Sequence, residues 1–195
     1  MDYKTILGSL AVGVSFAGYI PYLRDVFLRK TKPHSFSWLA WGIIEFIVFF
    51  AQLAKGGGSG AWITGSSAGV CLFIAGIAFF RGDTQINKLD YASLGGSLLG
   101  IVLWRLTSNP LLAVIFVSIA DFLAFIPTFR KSYHHPEQET VTEYASSVLK
   151  WVLGLLALRS FNLTTWLFPV SVMLTNGSFV IMSLIRRRTL NKKLL

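Results

Sequence analysis

Charged side chains are scarce in this sequence. Asp, Glu, Lys and Arg make up 14% of its 195 residues, against roughly 25% in a soluble domain. That shortage excludes an ordinary water-facing surface. Cysteine occurs once, as Cys71 inside an apolar run, which excludes an intramolecular disulfide framework and an all-cysteine metal site. Acidic residues are half as frequent as basic ones, nine against eighteen, for a net charge of +9. The basic residues form no nucleic-acid-binding patch. They gather at the ends of apolar segments, as topology signals do. Enzyme signatures are missing: there is no His-Glu-x-x-His, Gly-x-Ser-x-Gly or Gly-x-x-x-x-Gly-Lys-Ser/Thr. His134 and His135 lie on a polar loop with Glu137 and Glu139 and read as solvated, without a dedicated ligand set. Neither metal, cofactor, enzyme activity nor nucleic-acid partner is expected.

What is present is apolar length. Hydrophobic residues reach 53% and the mean hydropathy is +0.59, the profile of an integral, all-α membrane protein. Seven stretches are long enough to cross a bilayer: approximately Thr5–Leu23, Phe36–Ala54, Ala61–Phe80, Tyr91–Leu106, Leu111–Phe129, Val141–Leu158 and Leu163–Ile185. The first ends in Tyr-Ile-Pro-Tyr-Leu-Arg without a small-residue cleavage site, so it reads as a working helix and not a signal peptide. The fourth is the shortest and carries Gly95, Gly96 and Gly100, small residues that let helices pack closely. It reads as a linker.

The chain also repeats itself. Ala17-Gly18-Tyr19-Ile20-Pro21-Tyr22-Leu23-Arg24 returns as Leu123-Ala124-Phe125-Ile126-Pro127-Thr128-Phe129-Arg130. In register with these, Trp38 falls opposite Tyr144. Each copy brings an apolar segment to a proline, which removes a backbone hydrogen bond and bends a helix. One structural unit used twice is expected: a first three-helix bundle over 1–86, a linker helix over 87–108, and a second bundle with a basic tail over 109–195. Arg24, Arg29, Lys30, Lys32, Arg81, Lys88, Arg130, Lys131 and the arginines and lysines after Ile185 fall on one side of such a bundle; Lys4, Lys55, Arg105 and Arg159 fall on the other. By the positive-inside rule the N-terminus is outside and the C-terminus cytoplasmic.

Four polar residues interrupt the apolar spans: Glu45, Asp121, Lys150 and Asn176. Counted from the crowded end of each helix, all lie about 14–15 Å deep, near the middle of a ~30 Å core. Ionisable groups at that depth are rare and mark functional sites. The alternative is a structural network in which Lys150 and Asp121 neutralise each other. Glu45, held without a fixed cation, could carry a proton. Trp41 and Trp151 stand close enough to offer ring faces to a sugar or a flat heterocycle, whereas Trp38, Trp62 and Trp166 read as interfacial anchors.

Seven spans arranged three, one and three, with parallel repeats and a proline near one end of helices one and five, resemble the SWEET and PQ-loop superfamily. The sequence is especially similar to SWEET-like membrane proteins of bacteria, through Ile20-Pro21-Tyr22-Leu23-Arg24, Pro33-His34-Ser35-Phe36-Ser37-Trp38 and Ile126-Pro127-Thr128-Phe129-Arg130. The resemblance implies two triple-helix bundles around a translocation path in a plasma membrane, with alternating access about Pro21 and Pro127. It implies a substrate-contacting asparagine at Asn176, whose counterpart near Cys71 is apolar. The glutamine of the PQ dipeptide is absent, because Tyr22 and Thr128 follow the prolines. The expected function is transport of a small polar solute, a sugar first, between Trp41, Glu45, Asp121, Lys150, Trp151 and Asn176. A carrier of a vitamin or nucleoside precursor, and a receptor that binds without transport, are the alternatives. The expected partners are the solute and the lipid bilayer, with homo-oligomer formation open.

Overall fold

The structure is a computed structural model that describes residues 2–82 and 88–191, apart from the side chains of a few helical residues. Seven α-helices follow one another: α1 (Tyr3–Phe27), α2 (Ser35–Ala54), α3 (Trp62–Arg81), α4 (Lys88–Thr107), α5 (Pro110–His134), α6 (Val141–Ala157) and α7 (Leu163–Asn191). Among the described residues there is no β-strand. The starts of the helices are written locally. Asp2 caps α1 by accepting from the Thr5 N–H at 2.7 Å, and the His34 ring caps α2 through the Ser37 N–H at 3.2 Å. Asn109 caps α5 ahead of Pro110, where a missing N–H costs nothing.

Five segments are long and apolar enough to cross a membrane: Tyr3–Phe27, Ser35–Ala54, Gly58–Arg81, Pro110–His134 and Leu163–Leu190. These fit an integral membrane protein. The sequence predicts seven spans; α4 and α6 form as helices but do not meet those criteria. The 17 residues of α6 rise only ~25 Å, and its face carries Glu143 and Lys150, both buried. Large apolar side chains such as Phe16, Ile20, Phe73, Phe122 and Ile181 face outward, while Ser15, Glu45, Ser67, Asp121 and Lys150 are buried. That is the inverse of the arrangement water imposes.

The packing has a pattern. α3 packs against both α1 and α2, and α7 against both α5 and α6; α1 lies along α6, and α2 along α5. Exchanging α1, α2 and α3 for α5, α6 and α7 turns each of these pairs into another of them. α4 stands outside the pattern, packing on α5 and more lightly on α2. The first helices of the two halves match in length, α1 and α5 having 25 residues each. At the α1–α6 crossing a β-carbon on Gly18 would lie 1.8 Å from the Ser146 hydroxyl oxygen, so only glycine permits that approach with Ser146 as it stands.

Three prolines lie in helix interiors. Pro21 is in α1, Pro127 in α5, and Pro169 in α7; the side chain of Pro127 falls outside the described part. Pro169 has no N–H for the carbonyl of Thr165, four residues back. Gln52 of α2 supplies the missing donor: its Nε2 gives a hydrogen bond to the Thr165 oxygen at 2.9 Å. Its Oε1 accepts from Thr64 of α3 at 2.8 Å, so one buried amide ties three helices at a proline break.

Candidate functional site

Two apolar clusters form the interior. One contains Ile44, Val48, Ile63, Val114, Trp151 and Phe168; the other contains Tyr19, Tyr22, Trp38, Trp41, Phe125 and Tyr144. They meet at a cavity. Helix periodicity aims a stripe from each neighbouring helix at it: Trp38, Trp41 and Glu45 from α2, Asp121 and Phe125 from α5, Glu143, Ser147 and Lys150 from α6, and Val172 and Asn176 from α7. Tyr19 of α1 and Cys71 of α3 complete the wall. All six residues that the sequence singles out, Trp41, Glu45, Asp121, Lys150, Trp151 and Asn176, line this one cavity.

The centre is a hydrogen-bonded chain. Lys150 Nζ donates to the Tyr19 hydroxyl at 2.8 Å and to Ser67 Oγ at 3.2 Å. Ser67 donates to Glu45 Oε1 at 3.0 Å. Since the one Ser67 hydrogen goes to Glu45, the Tyr19 hydroxyl, 2.9 Å from Ser67 Oγ, is the donor there. Cys71 Sγ donates to Glu45 Oε2 at 3.5 Å. The Lys150 ammonium also sits 4.5 Å above the Tyr19 ring and 4.0 Å from Glu143 Oε1. Lys150 therefore faces Glu143 directly and reaches Glu45 through Ser67.

The Lys150–Asp121 neutralisation considered from the sequence does not form, because the α6 ammonium turns toward its own helix and α1. Among the described residues, no hydrogen bond or ion pair reaches the Asp121 carboxyl, which is only 4% exposed. Two more polar groups on the wall lack partners: the Nε1–H of Trp41 and of Trp151. Asn176 bonds the Val172 carbonyl at 2.8 Å through its amide nitrogen.

Trp38 is not an interfacial anchor. It is buried, donates from Nε1 to the Tyr22 hydroxyl at 3.1 Å, and packs edge-on against Trp41 with centroids 5.2 Å apart. At the end of the first α2 turn, it is turned inward against Tyr19 and Tyr22 of α1. Trp62 is half exposed, and Trp166 stacks on Phe161 with centroids 6.1 Å apart. Glu143 is the charged group that sequence reading passes over. It looks like an ordinary first-turn carboxylate, yet Glu143, Ser147 and Lys150 follow one another at four and three residues, the spacing of a single helix face. Tyr19, Ser67 and Cys71 carry no comparable signal, because isolated small polar residues are common in apolar helices.

Every residue that lines the cavity is buried. The cavity volume is about 30 Å³, counted as space for the centre of a water molecule, room for a water or two. At the end where α1 finishes, Lys131 pairs with Glu139 and with the Lys32 carbonyl. There Thr140 donates to Asp25 at 3.0 Å, and the Lys32 N–H reaches the Gln138 carbonyl at 3.3 Å. At the opposite end Arg159 pairs with Asp2 at 2.6 Å, and Lys4 donates to the Leu158 carbonyl at 2.7 Å. No protein-family model, curated protein or solved structure matches the chain.

Proposed function

We propose that this protein is a membrane carrier for a small polar solute, working by alternating access between two groups of three helices. The observation that carries this reading is the buried polar cavity itself. It lies where α1 meets α6 and α2 meets α5, and it brings unpaired polar groups from several helices to one point. A purely structural network satisfies its members; among the described residues this one leaves Asp121 and two indole N–H groups without protein partners. Solute sites at the junction of structural repeats are the common design of membrane carriers.

In this reading α1–α3 and α5–α7 are the two bundles and α4 the linker, supported by the exchange symmetry of the packing pairs. The end rich in Lys and Arg faces the cytoplasm and the N-terminus lies outside, in a plasma membrane. The resemblance to SWEET and PQ-loop proteins agrees with that layout. The burial of every lining residue supports reading this arrangement as the occluded state of the carrier. Pro21 and Pro127 are the bending points through which one end would open.

A sugar is the first candidate solute. The aromatic wall of Tyr19, Trp38, Trp41, Phe125, Tyr144 and Trp151 favours a second, a vitamin or nucleoside precursor with a flat ring. Uptake into proteoliposomes containing the purified chain tests the proposal. Counterflow of a labelled solute, lost in an Asp121→Asn, Lys150→Met double variant, is the expected result. Saturable binding without flux would instead make the protein a receptor. Glu45→Gln is expected to flatten the pH dependence of uptake; an unaltered profile removes Glu45 as a proton carrier.

A further inference from the structure

The cavity wall is unbalanced in charge. Glu45, Asp121 and Glu143 face one cation, Lys150. Lys150 is committed to the other side of the site, held by Tyr19 and Ser67 and drawn toward Glu143. Glu45 takes its hydrogen bonds from Ser67 and Cys71. Asp121 is left over: buried, on the wall, and free of hydrogen-bond or ion-pair partners among the described residues. Around it the site is aromatic. Phe125 stands one turn further along α5, and Trp41 packs against Phe125 with centroids 5.1 Å apart.

We propose that the solute is an organic ammonium, a small molecule with a protonated amine, and that Asp121 is the group that receives its charge. This inference rests on the reading of the cavity as a solute site. The chain already shows how such a group is held here. The Lys150 ammonium lies 4.5 Å over the Tyr19 ring and donates to hydroxyl oxygens. A second ammonium at Asp121 would meet a carboxylate and ring faces, the pairing that suits a desolvated cation. It would also offset the excess of carboxyl groups, whereas a neutral solute brings Asp121 hydrogen-bond donors but no positive charge. The unpaired Trp41 and Trp151 N–H groups donate only, so they suit a hydroxyl, carbonyl or carboxylate oxygen elsewhere on the same molecule. An amino alcohol, an amino sugar or an amino acid meets both requirements.

The experiment compares matched pairs on the purified full chain in detergent micelles: ethanolamine with ethylene glycol, and glucosamine with glucose. The readouts are the thermal midpoint and isothermal calorimetry. The amine of each pair is expected to raise the midpoint saturably and give a binding isotherm, its neutral counterpart neither. Asp121→Asn should abolish the amine response while leaving the ligand-free midpoint close to that of the unaltered chain. Asp121→Glu should retain the preference for the amine. Equal responses to amine and neutral partner, no response to either amine at tens of millimolar, or an Asp121→Asn variant that binds amines like the unaltered chain would each overturn the proposal. The calorimetric comparison on the unaltered chain decides even where a variant fails to fold. Amine binding without proteoliposome flux would uphold this inference and remove the carrier reading instead, so the two failures are distinct.

Discussion

Gln52 illustrates how a single side chain can be essential for reasons invisible in its own neighbourhood of sequence. It sits in an apolar helix and answers a carbonyl orphaned by Pro169, far along the chain. Gln52→Ala should destabilise the protein by ~1–3 kcal/mol, the cost of leaving a buried acceptor unpaired. Part of that loss should disappear in a Pro169→Ala background, where the restored N–H can bond Thr165 within the helix; a double-mutant cycle on denaturation midpoints measures the difference. Lys150 is the opposite case, a cation whose removal strands its partners. Lys150→Met should cost ~3–5 kcal/mol, typical of breaking a buried pair on one side, with partial recovery on adding Glu143→Gln. Outside the helices, Asp2 titrates as a lone surface latch. Hydrogen bonds from Thr5, and beyond them the Arg159 guanidinium, hold its carboxyl below the ordinary aspartate range. Its contribution is therefore complete above the ordinary aspartate value and lost as pH falls through the lowered one. Asp2→Asn should abolish that acid-side change in a thermal-melt series.

At the scale of the element, α6 and α1 decide how the site is built. α6 has the polar stripe Glu143, Ser147 and Lys150 on its inner face and is the shortest of the seven α-helices, with 17 residues. Its placement depends on Gly18, where α1 comes close enough that a β-carbon would collide with Ser146. Gly18→Ala should lower the thermal midpoint, because Ser146 must give up the hydrogen bond it donates to the Glu143 carbonyl at 2.8 Å or the helices must separate. Adding Ser146→Ala should recover part of the loss; failure to do so would mean that backbone crowding, and not the hydroxyl, sets the crossing distance. Helix existence was legible from the sequence because apolar length and capping residues act locally. The crossing was not, since a glycine in an apolar run gives the same signal whether it meets a neighbour or lipid.

At the scale of the whole molecule, side-chain pairs tie the helix ends together on both sides of the bundle, Lys131 with Glu139 on one and Asp2 with Arg159 on the other. Cys71, buried on the cavity wall, reports on access to the cavity without any engineered residue. A membrane-impermeant thiol reagent should label it slowly in the unaltered protein. Labelling should accelerate in Lys131→Ala, which releases one end, when the reagent is applied from the side that end faces. Equal labelling from both sides, or none at all, would argue against that end as a gate. The depth count that placed Glu45, Asp121, Lys150 and Asn176 in one layer was informative because a helix rises by a fixed amount per residue. Depth says nothing about azimuth, so it missed Glu143 and set Trp38 at the surface.

The sequence alone determined the helices and which polar residues interrupt them. Hydrophobicity, helical rise and proline chemistry are properties of the chain segment by segment. The tertiary structure alone decided who partners whom: that Lys150 turns to Glu143 and Tyr19, that Ser67 bridges it to Glu45, and that Asp121 is left without a partner among the described residues. Pairing is set by the rotation of each helix about its axis and by which neighbour it meets, and those are fixed only when all seven pack together.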